Sequence, residues 1–591
     1  MSERGTKARA TSRPWLLPVL FGVGFSVPAL FVGFVFDDLL HRLWLEGRFE
    51  GIEPRWFGLY EFTSAKVTTR ELVDTGALPW FTEPGLSLRF FRPLSSILLT
   101  FDHLAFGRRA LPAHLHSLAW FTSLLVCVCA LYRRWFRPPV ALLASILYAI
   151  AGAHAIPTAW LASRHALVTA TCSLMALWAW VRFREDGWRP GVWWAAGAWA
   201  ASALAGETWL AGLALPLLYE WGTRPDWRSR LGGSAPFALV GVGYVVTYAL
   251  CGYGDFHSAL YVSPLEAPGQ YLRVALTRMP LAYAELFGGM PVIVAGPNPS
   301  VQVFFIAWGL VLTLALGWGL IFSRSAVDGK SSQTLRWLGM AALGTPFLLI
   351  GTAVTGRVLL VPLVGATALV AHALAGAGVI RRGGRIGQRW VAATLLVVLG
   401  GAHLGLSPLA RLAVPLVFAG AATAQQRVAY QTDLGLCPAN STAYMLSGSD
   451  PALSLYLGPS ILFHAPDTAR VERLRILSMA PQPLRLTRPE DRVLELAVEG
   501  RPRRVNDFER LYRAIDAPLT VGRTYSAGEL SARVLEMADG YPARVRFELP
   551  TSFDASTVCL IAWRDGRVQP VSVPKQGQSV TIPYELGPTG M

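Results

Sequence analysis

The amino-acid sequence predicts a mainly α, polytopic transmembrane helical bundle with a small β-rich domain at its C-terminal end. Three observations predict it. Charged residues make up only 15% of the 591-residue chain and hydrophobic ones 53%, against about 25% charged in soluble domains. Apolar runs of spanning length recur between residues 14 and 409. Beyond residue 425 the pattern changes to period-two alternation with turn signals. The 21 Trp suit a chain with two membrane interfaces to anchor.

Residues 1–13 are a basic tail (Arg4, Lys7, Arg9, Arg13) ahead of an apolar run ending at Phe36. That run is long enough to span, and no small-residue cleavage site follows it. It therefore reads as a retained first helix with a cytosolic N-terminus, not a signal peptide. Spans are expected near residues 14–36, 112–133, 138–153, 165–183, 191–205, 207–222, 233–252, 301–323, 336–355, 358–379 and 390–409. About eleven spans then make a membrane domain over residues 14–424.

Every second short loop is basic: Arg133, Arg134 and Arg137; Arg182, Arg184 and Arg189; Arg224, Arg228 and Arg230; Arg324, Lys330 and Arg336; Arg381, Arg382, Arg385 and Arg389. Such alternation places these loops in the cytosol. It also accounts for the net charge of +15 without nucleic acid, for which no motif in a supporting context is present.

Two larger pieces fall on the other side. The loop 37–111 carries an interfacial helix, "RPLSSILLTFDHLAFG". The tail 425–591 is reached through "ARLAVPLVFAGAATAQQRVA". In the tail, Val545, Phe547 and Leu549 alternate with Arg544, Arg546 and Glu548, and Asp565-Gly566 joins two strands in a hairpin. The segment 505–516 looks helical. Cys127, Cys129, Cys172 and Cys251 read as small buried hydrophobes; Cys437 and Cys559 could pair in an oxidising compartment. The Arg- and Ala-rich style points to a bacterial inner membrane with the tail in the periplasm.

Several ionisable residues from different segments collect at one expected membrane boundary: Asp37, Asp38, Arg92, His114, His116, His154, Arg164, His165, Glu207 and Arg357. Such groups are costly near membrane depth and usually line a cavity or pair with one another. Each has a plainer role open to it. One of Asp37 and Asp38 can cap the helix that follows. His154 can be a satisfied structural histidine, and one of His114 and His116 interfacial packing. Arg164 and Arg357 can reach lipid headgroups. Glu207 suits function or a buried pair with an Arg. As a set they suit acid–base work on a hydroxyl beside a phosphate: carboxylate as base, Arg and His as anion holders.

Five segments in order, "FVFDD", "FRPLSSILLTFDHLAFGRRALPAHLHSLAWF", "LYAIAGAHAIPTAWLASRHALV", "ALAGETWLAGLALPLLYEW" and "TGRVLLVPLVG", cover most of residues 31–365. Together they resemble the GT-C glycosyltransferases, multi-spanning enzymes that take sugars from polyprenyl-phosphate donors. The likeness is nearest to the protein O-mannosyltransferase branch that includes the TMTC proteins. Ser117, Ala205-Gly206 and Gly356 depart from that pattern, which has Asn, Ser-Lys and Glu there; the tetratricopeptide tail is replaced by the β-rich domain.

The resemblance implies a mannosyltransferase-like glycosylation enzyme that inverts stereochemistry in a single displacement. Asp37 would be its base and Asp38 a neighbour or metal contact. Arg164 and Arg357 would bind the lipid phosphate, while Arg92, His114, His154 and Glu207 shape the cavity. The implied partners are a polyprenyl-phosphate sugar donor, a protein or glycan acceptor and the lipid bilayer. Any divalent cation would be held loosely by carboxylates and phosphate. A lipid-linked glycan flippase would use the same cavity but is often built from repeated halves, and no internal repeat stands out. A non-catalytic membrane scaffold whose tail binds a partner is the third reading; it would be indifferent to loss of the carboxylates.

Overall fold

The computed structural model describes residues 15–48, 55–63, 67–296, 298–322, 329–466, 471–501 and 504–590. The basic tail and Arg324 lie outside them. The N-terminal helices are α1 (Leu16–Ser26), α2 (Asp37–Leu45), α3 (Thr69–Thr75), α4 (Pro93–Phe106), α5 (Ala110–Trp135), α6 (Pro138–Ile150), α7 (Ala155–Ala159) and α8 (Arg164–Asp186). Next come α9 (Gly191–Ala205), α10 (Trp209–Thr223), α11 (Trp227–Leu250), α12 (Pro268–Gly288), α13 (Pro299–Phe322) and α14 (Gly329–Gly344). The last are α15 (Gly356–Leu359), α16 (Pro362–Gly383), α17 (Ile386–Gly400), α18 (Ser407–Gln431), α19 (Pro451–Ser454) and α20 (Leu457–His464).

Among the described residues six helices are long and apolar enough to cross a membrane alone, or seven if α6 and α7, bent by 43° at their junction, count as one. Pro299–Phe322 has a mean hydropathy of 2.1, yet protein buries only 28% of it. An apolar helix so exposed needs hydrocarbon around it, so the chain is an integral membrane protein. α8 and α16 are the inner helices, each 78% buried over its most apolar stretch.

Three elements depart from the expected spans. The first run does not stay helical to Phe36: α1 gives way to a 3₁₀ turn at Val27–Phe31, where Pro28 supplies no N–H. The span expected at 336–355 ends at Gly344 and continues as a 3₁₀ turn, Thr345–Leu348. The third is α12, for which no helix was expected. Arg273, Arg278, Glu285 and Pro280 lower its hydropathy, but two of these charges are satisfied inside the protein. Arg278 donates to the carbonyls of Ile350, Gly351 and Leu260 at 2.8–3.0 Å, and Glu285 accepts from the Val292 amide at 3.0 Å. α17 passes through a π-helical stretch, Gly401–Leu406, straight into α18. The expected link to the tail is therefore helix to Gln431.

The C-terminal domain is β-rich, as the alternation predicts. Its strands are β3 (Thr442–Met445), β4 (Arg473–Ile476), β5 (Leu484–Glu490), β6 (Val493–Val498), β7 (Thr524–Ala527), β8 (Leu530–Ala538), β9 (Tyr541–Glu548), β10 (Val558–Arg564), β11 (Arg567–Pro570) and β12 (Ser579–Ile582); β1 (Ser87–Arg89) and β2 (Gly254–Phe256) pair within the loops. One sheet runs β11-β10-β3-β4 and the other β12-β5-β6-β9-β8-β7. Asp565 and Gly566 both take positive φ, 51° and 72°, at the β10–β11 turn, the backbone that a two-residue hairpin turn of this hand requires. Val545, Phe547 and Leu549 are buried as expected. The segment around 505–516 holds one 3₁₀ turn, Asp507–Leu511. Cys437 and Cys559 are bonded. Cys129 and Cys172 are buried, but Cys127 is half-buried and Cys251 is exposed, because α11 ends beside it.

The first loop and this domain share a core. Trp80, Phe81, Leu86 and Leu88 pack with Leu494, Phe547 and Phe553, and the Trp80 indole donates to the Leu477 carbonyl at 3.0 Å. The face that covers one end of the bundle is thus assembled from residues some 400 positions apart.

Candidate functional site

The site begins where the first apolar run stops. Phe36, immediately before α2, has φ of 54°. A non-glycine residue is strained there by about 1–3 kcal/mol unless its surroundings over-determine it. Here they do: the Phe36 amide donates to Gln425 Oε1 at 3.0 Å, and its ring packs among Trp160, Phe418 and Tyr456. His114, 1% exposed, uses Nε2 against the Gly33 carbonyl at 2.9 Å and braces the same turn.

The two adjacent carboxylates have different fates. Asp38 is buried, and both its oxygens are engaged by amides: Val35 N–H donates to Oδ2 at 3.2 Å and Ala162 N–H to Oδ1 at 2.7 Å. It fastens the entry of α2 to the turn ahead of α8. Burial pushes its carboxyl up to about 7, against those two amides. Asp37 is half-buried, and its Oδ1 accepts from the Tyr456 hydroxyl at 2.5 Å. Among the described residues its other oxygen has no hydrogen-bond partner. Burial raises the Asp37 carboxyl above the usual carboxylate range, opposed by the Tyr456 hydroxyl and the positive charges of Arg357 and Arg92.

Arg357 stands in α15, half-buried, its guanidinium 5.8 Å from the centre of the Trp160 ring. Among the described residues its guanidinium makes no ion pair and no hydrogen bond. Gly356 explains the departure at the preceding position: a Cβ there would lie 2.2 Å from the Ala153 carbonyl oxygen, so only glycine lets α15 seat against the turn before α7. Arg92 opens α4. Its Nε donates to Glu207 Oε2 at 2.8 Å, and its guanidinium lies over the rings of Tyr60 (4.9 Å) and Phe90 (4.7 Å). The Tyr248 hydroxyl donates to the other Glu207 oxygen at 3.3 Å. Glu207 is thus paired with an Arg, and the pair is half-buried.

Arg357 and the Glu207-bound Arg92 therefore both act on Asp37 through their charge. Arg164 and His154 sit in the helix framework. Arg164 is 2% exposed and donates to Asp102 Oδ2 (2.5 Å), Ser117 Oγ (2.8 Å) and the Ala113 carbonyl (2.6 Å). His116 Nδ1 lies 2.7 Å from the other Asp102 oxygen. His154 is fully buried, with Nε2 at 2.8 Å from the Tyr148 carbonyl oxygen and the ring between Phe121 and Tyr148. Sequence reasoning missed Asp102, although an acid inside "LLTFDHLAF" carries the same signal as Glu207. It also missed Tyr456, for which the sequence holds no signal.

Among the described residues no three His, Cys, Asp or Glu side chains are grouped to hold a metal ion. Asp38 is occupied by amides, which leaves one carboxylate with an open oxygen. A divalent cation collects about six oxygen ligands, so these residues do not make a cation cage.

No protein-family model and no curated protein sequence matches the chain. Among solved structures it is similar to ArnT from Cupriavidus metallidurans bound to undecaprenyl phosphate, with 18% identity over 78% of this chain and 89% of that one and a TM-score of 0.32. The apo state of the same ArnT gives 16% identity, 77% and 88% coverage and a TM-score of 0.35. The Archaeoglobus fulgidus oligosaccharyltransferase in its apo form gives 11% identity, 78% and 64% coverage and a TM-score of 0.38. These are distant likenesses of chain path, and the chemistry is read from the side chains.

Proposed function

We propose that the chain is a membrane glycosyltransferase of the GT-C kind, moving a sugar from a polyprenyl-phosphate donor to a hydroxyl-bearing acceptor on the extracytoplasmic face. The observation that carries this reading is Arg357, a half-buried guanidinium that makes no ion pair among the described residues, while its positive charge acts on the Asp37 carboxylate, whose second oxygen is open. A cation left unpaired in such a place is poised for an anionic ligand, and a planar guanidinium suits phosphate. The apolar helices around it supply the surface along which a lipid-borne phosphate arrives.

In this mechanism Asp37 takes the proton from the acceptor O–H. The acceptor oxygen bonds to the anomeric carbon as the bond from that carbon to the phosphate oxygen breaks. The bonding pair leaves with the lipid phosphate, whose charge Arg357 meets, with Arg92 adding to the positive field. Attack from the face opposite the phosphate inverts the centre. Burial helps, because a base whose pKa is raised toward the working pH transfers protons more efficiently. Glu207 positions Arg92, Asp38 holds the turn that presents Asp37, and Arg164 and His154 hold the framework. The tail domain faces the periplasm of a bacterial inner membrane in this reading.

The test is transfer from a panel of radiolabelled polyprenyl-phosphate sugars by purified protein in nanodiscs, with and without EDTA. Release of sugar from one donor, abolished in Asp37→Asn at an unchanged melting temperature, is the expected result. Equal behaviour of wild type and variant toward every donor sinks the proposal and leaves the scaffold or flippase reading.

A further inference from the structure

We infer that Tyr456 is a positioning residue for Asp37, so that the C-terminal β-rich domain completes the reactive centre. The inference rests on the reading of Asp37 as the base and extends it to a domain that the transfer chemistry does not require.

The geometry is specific. Tyr456 lies between α19 and α20, is 6% exposed, and reaches a carboxylate 419 residues earlier in the chain. At 2.5 Å the contact has the length of a charge-assisted O–H···O bond. The Tyr456 ring stands 5.3 Å from that of the strained Phe36, so one side chain braces both the turn and the carboxylate. The segment bearing Tyr456 is itself anchored from distant parts of the domain. Asp450 accepts from the Ala452 amide at 2.8 Å and from Thr589 through its amide (3.1 Å) and hydroxyl (2.6 Å). Asn506 donates to the Ser449 carbonyl at 2.6 Å.

The bond does two things. It occupies Oδ1, leaving Oδ2 as the oxygen that meets the acceptor proton. It also favours the charged carboxylate against burial. The other groups acting on Asp37 come from separate elements: Arg357 in α15, Arg92 at the start of α4, Asp38 beside it, Tyr60 in the first loop and Tyr261 in the loop before α12. None of these is hydrogen-bonded to the carboxylate among the described residues, whereas Tyr456 is.

The experiment compares full-length wild type with Tyr456→Phe. The Asp37 titration is followed by infrared difference spectroscopy, with Asp37→Asn identifying the protonated carbonyl band. In parallel, kcat and KM for sugar release are measured across pH. A hydrogen bond to a charged group corresponds to about one to two pH units. Loss of the hydroxyl should move the Asp37 titration and the acid limb of kcat upward by that amount. The kcat deficit, about 10- to 100-fold at the acid end, should close as pH rises, with KM unchanged. An unmoved titration, or a loss equal at all pH, overturns the inference. If no donor is turned over by wild type but the infrared shift occurs, the transferase reading fails while the Tyr456–Asp37 coupling stands. Should Tyr456→Phe not fold, Thr589→Val, which loosens the Asp450 anchor, should give a smaller shift of the same sign; no shift there also overturns it.

Discussion

Arg164 and Arg357 look alike in sequence, and the structure separates them; replacing Asp102 tests that separation. Asp102 is fully buried and accepts from Arg164 at 2.5 Å and faces His116 at 2.7 Å. In Asp102→Asn the guanidinium keeps Ser117 and the Ala113 carbonyl but loses its counter-charge at 2% exposure. Breaking a buried pair from one side costs about 3–5 kcal/mol, because the remaining charge is uncompensated. That is a large share of a total stability of about 5–15 kcal/mol. Removing both partners with apolar residues of similar volume, Asp102→Leu with Arg164→Met, removes the stranded charge and should recover most of the loss. The assay is thermal unfolding in one detergent at fixed pH for wild type, Asp102→Asn, Asp102→Leu, Arg164→Met and the double Asp102→Leu/Arg164→Met, the last three closing the cycle with wild type. The expected coupling is several kcal/mol, with donor KM unchanged wherever the protein is folded. If Arg164→Met melts like wild type and instead raises donor KM, Arg164 is a phosphate ligand and the framework assignment is refuted.

Three further outcomes follow from the site. Arg357→Gln should lower kcat/KM about 10²–10³-fold, the usual cost of removing one donor to a developing anion, at an unchanged melting temperature; Arg357→Lys should restore only part, lacking the planar fork. Asp38 has a folded pKa of about 7, above its unfolded value of 3.8. Its stability contribution is therefore whole below about pH 4 and lost as pH rises through 7; the melting temperature should fall across that window, and less so in Asp38→Asn. The Cys437–Cys559 bond closes a separation of 122 residues, so by chain entropy its reduction should cost the β-rich domain up to about 4–5 kcal/mol, read as a lower melting temperature in dithiothreitol.

The legibility of this molecule in its sequence follows the range of the forces involved. Hydropathy is local, so the bundle and the switch to strands were readable, as was the Asp565-Gly566 turn. α12 was not, because its charges look prohibitive until the carbonyls of Ile350, Gly351 and Leu260 come to meet Arg278. The same limit governed the site. An ionisable residue at an apolar boundary announces itself, which exposed Asp37, Arg92, Glu207 and Arg357 one by one. Which of them share partners is a tertiary fact: nothing local distinguishes Arg164, paired with Asp102, from Arg357, which makes no ion pair among the described residues.

Adjacent carboxylates at a membrane edge raise the same problem at its smallest scale, and two amides resolve it. Val35 and Ala162 consume both oxygens of Asp38, so its carboxyl group is spent on holding a strained turn in one shape. That turn presents Asp37 with one oxygen to Tyr456 and the other without a hydrogen-bond partner among the described residues. A single acid at this position would have had to choose between rigidity and reactivity. The pair divides them, and for that reason Asp38→Asn should damage stability before chemistry, and Asp37→Asn chemistry before stability.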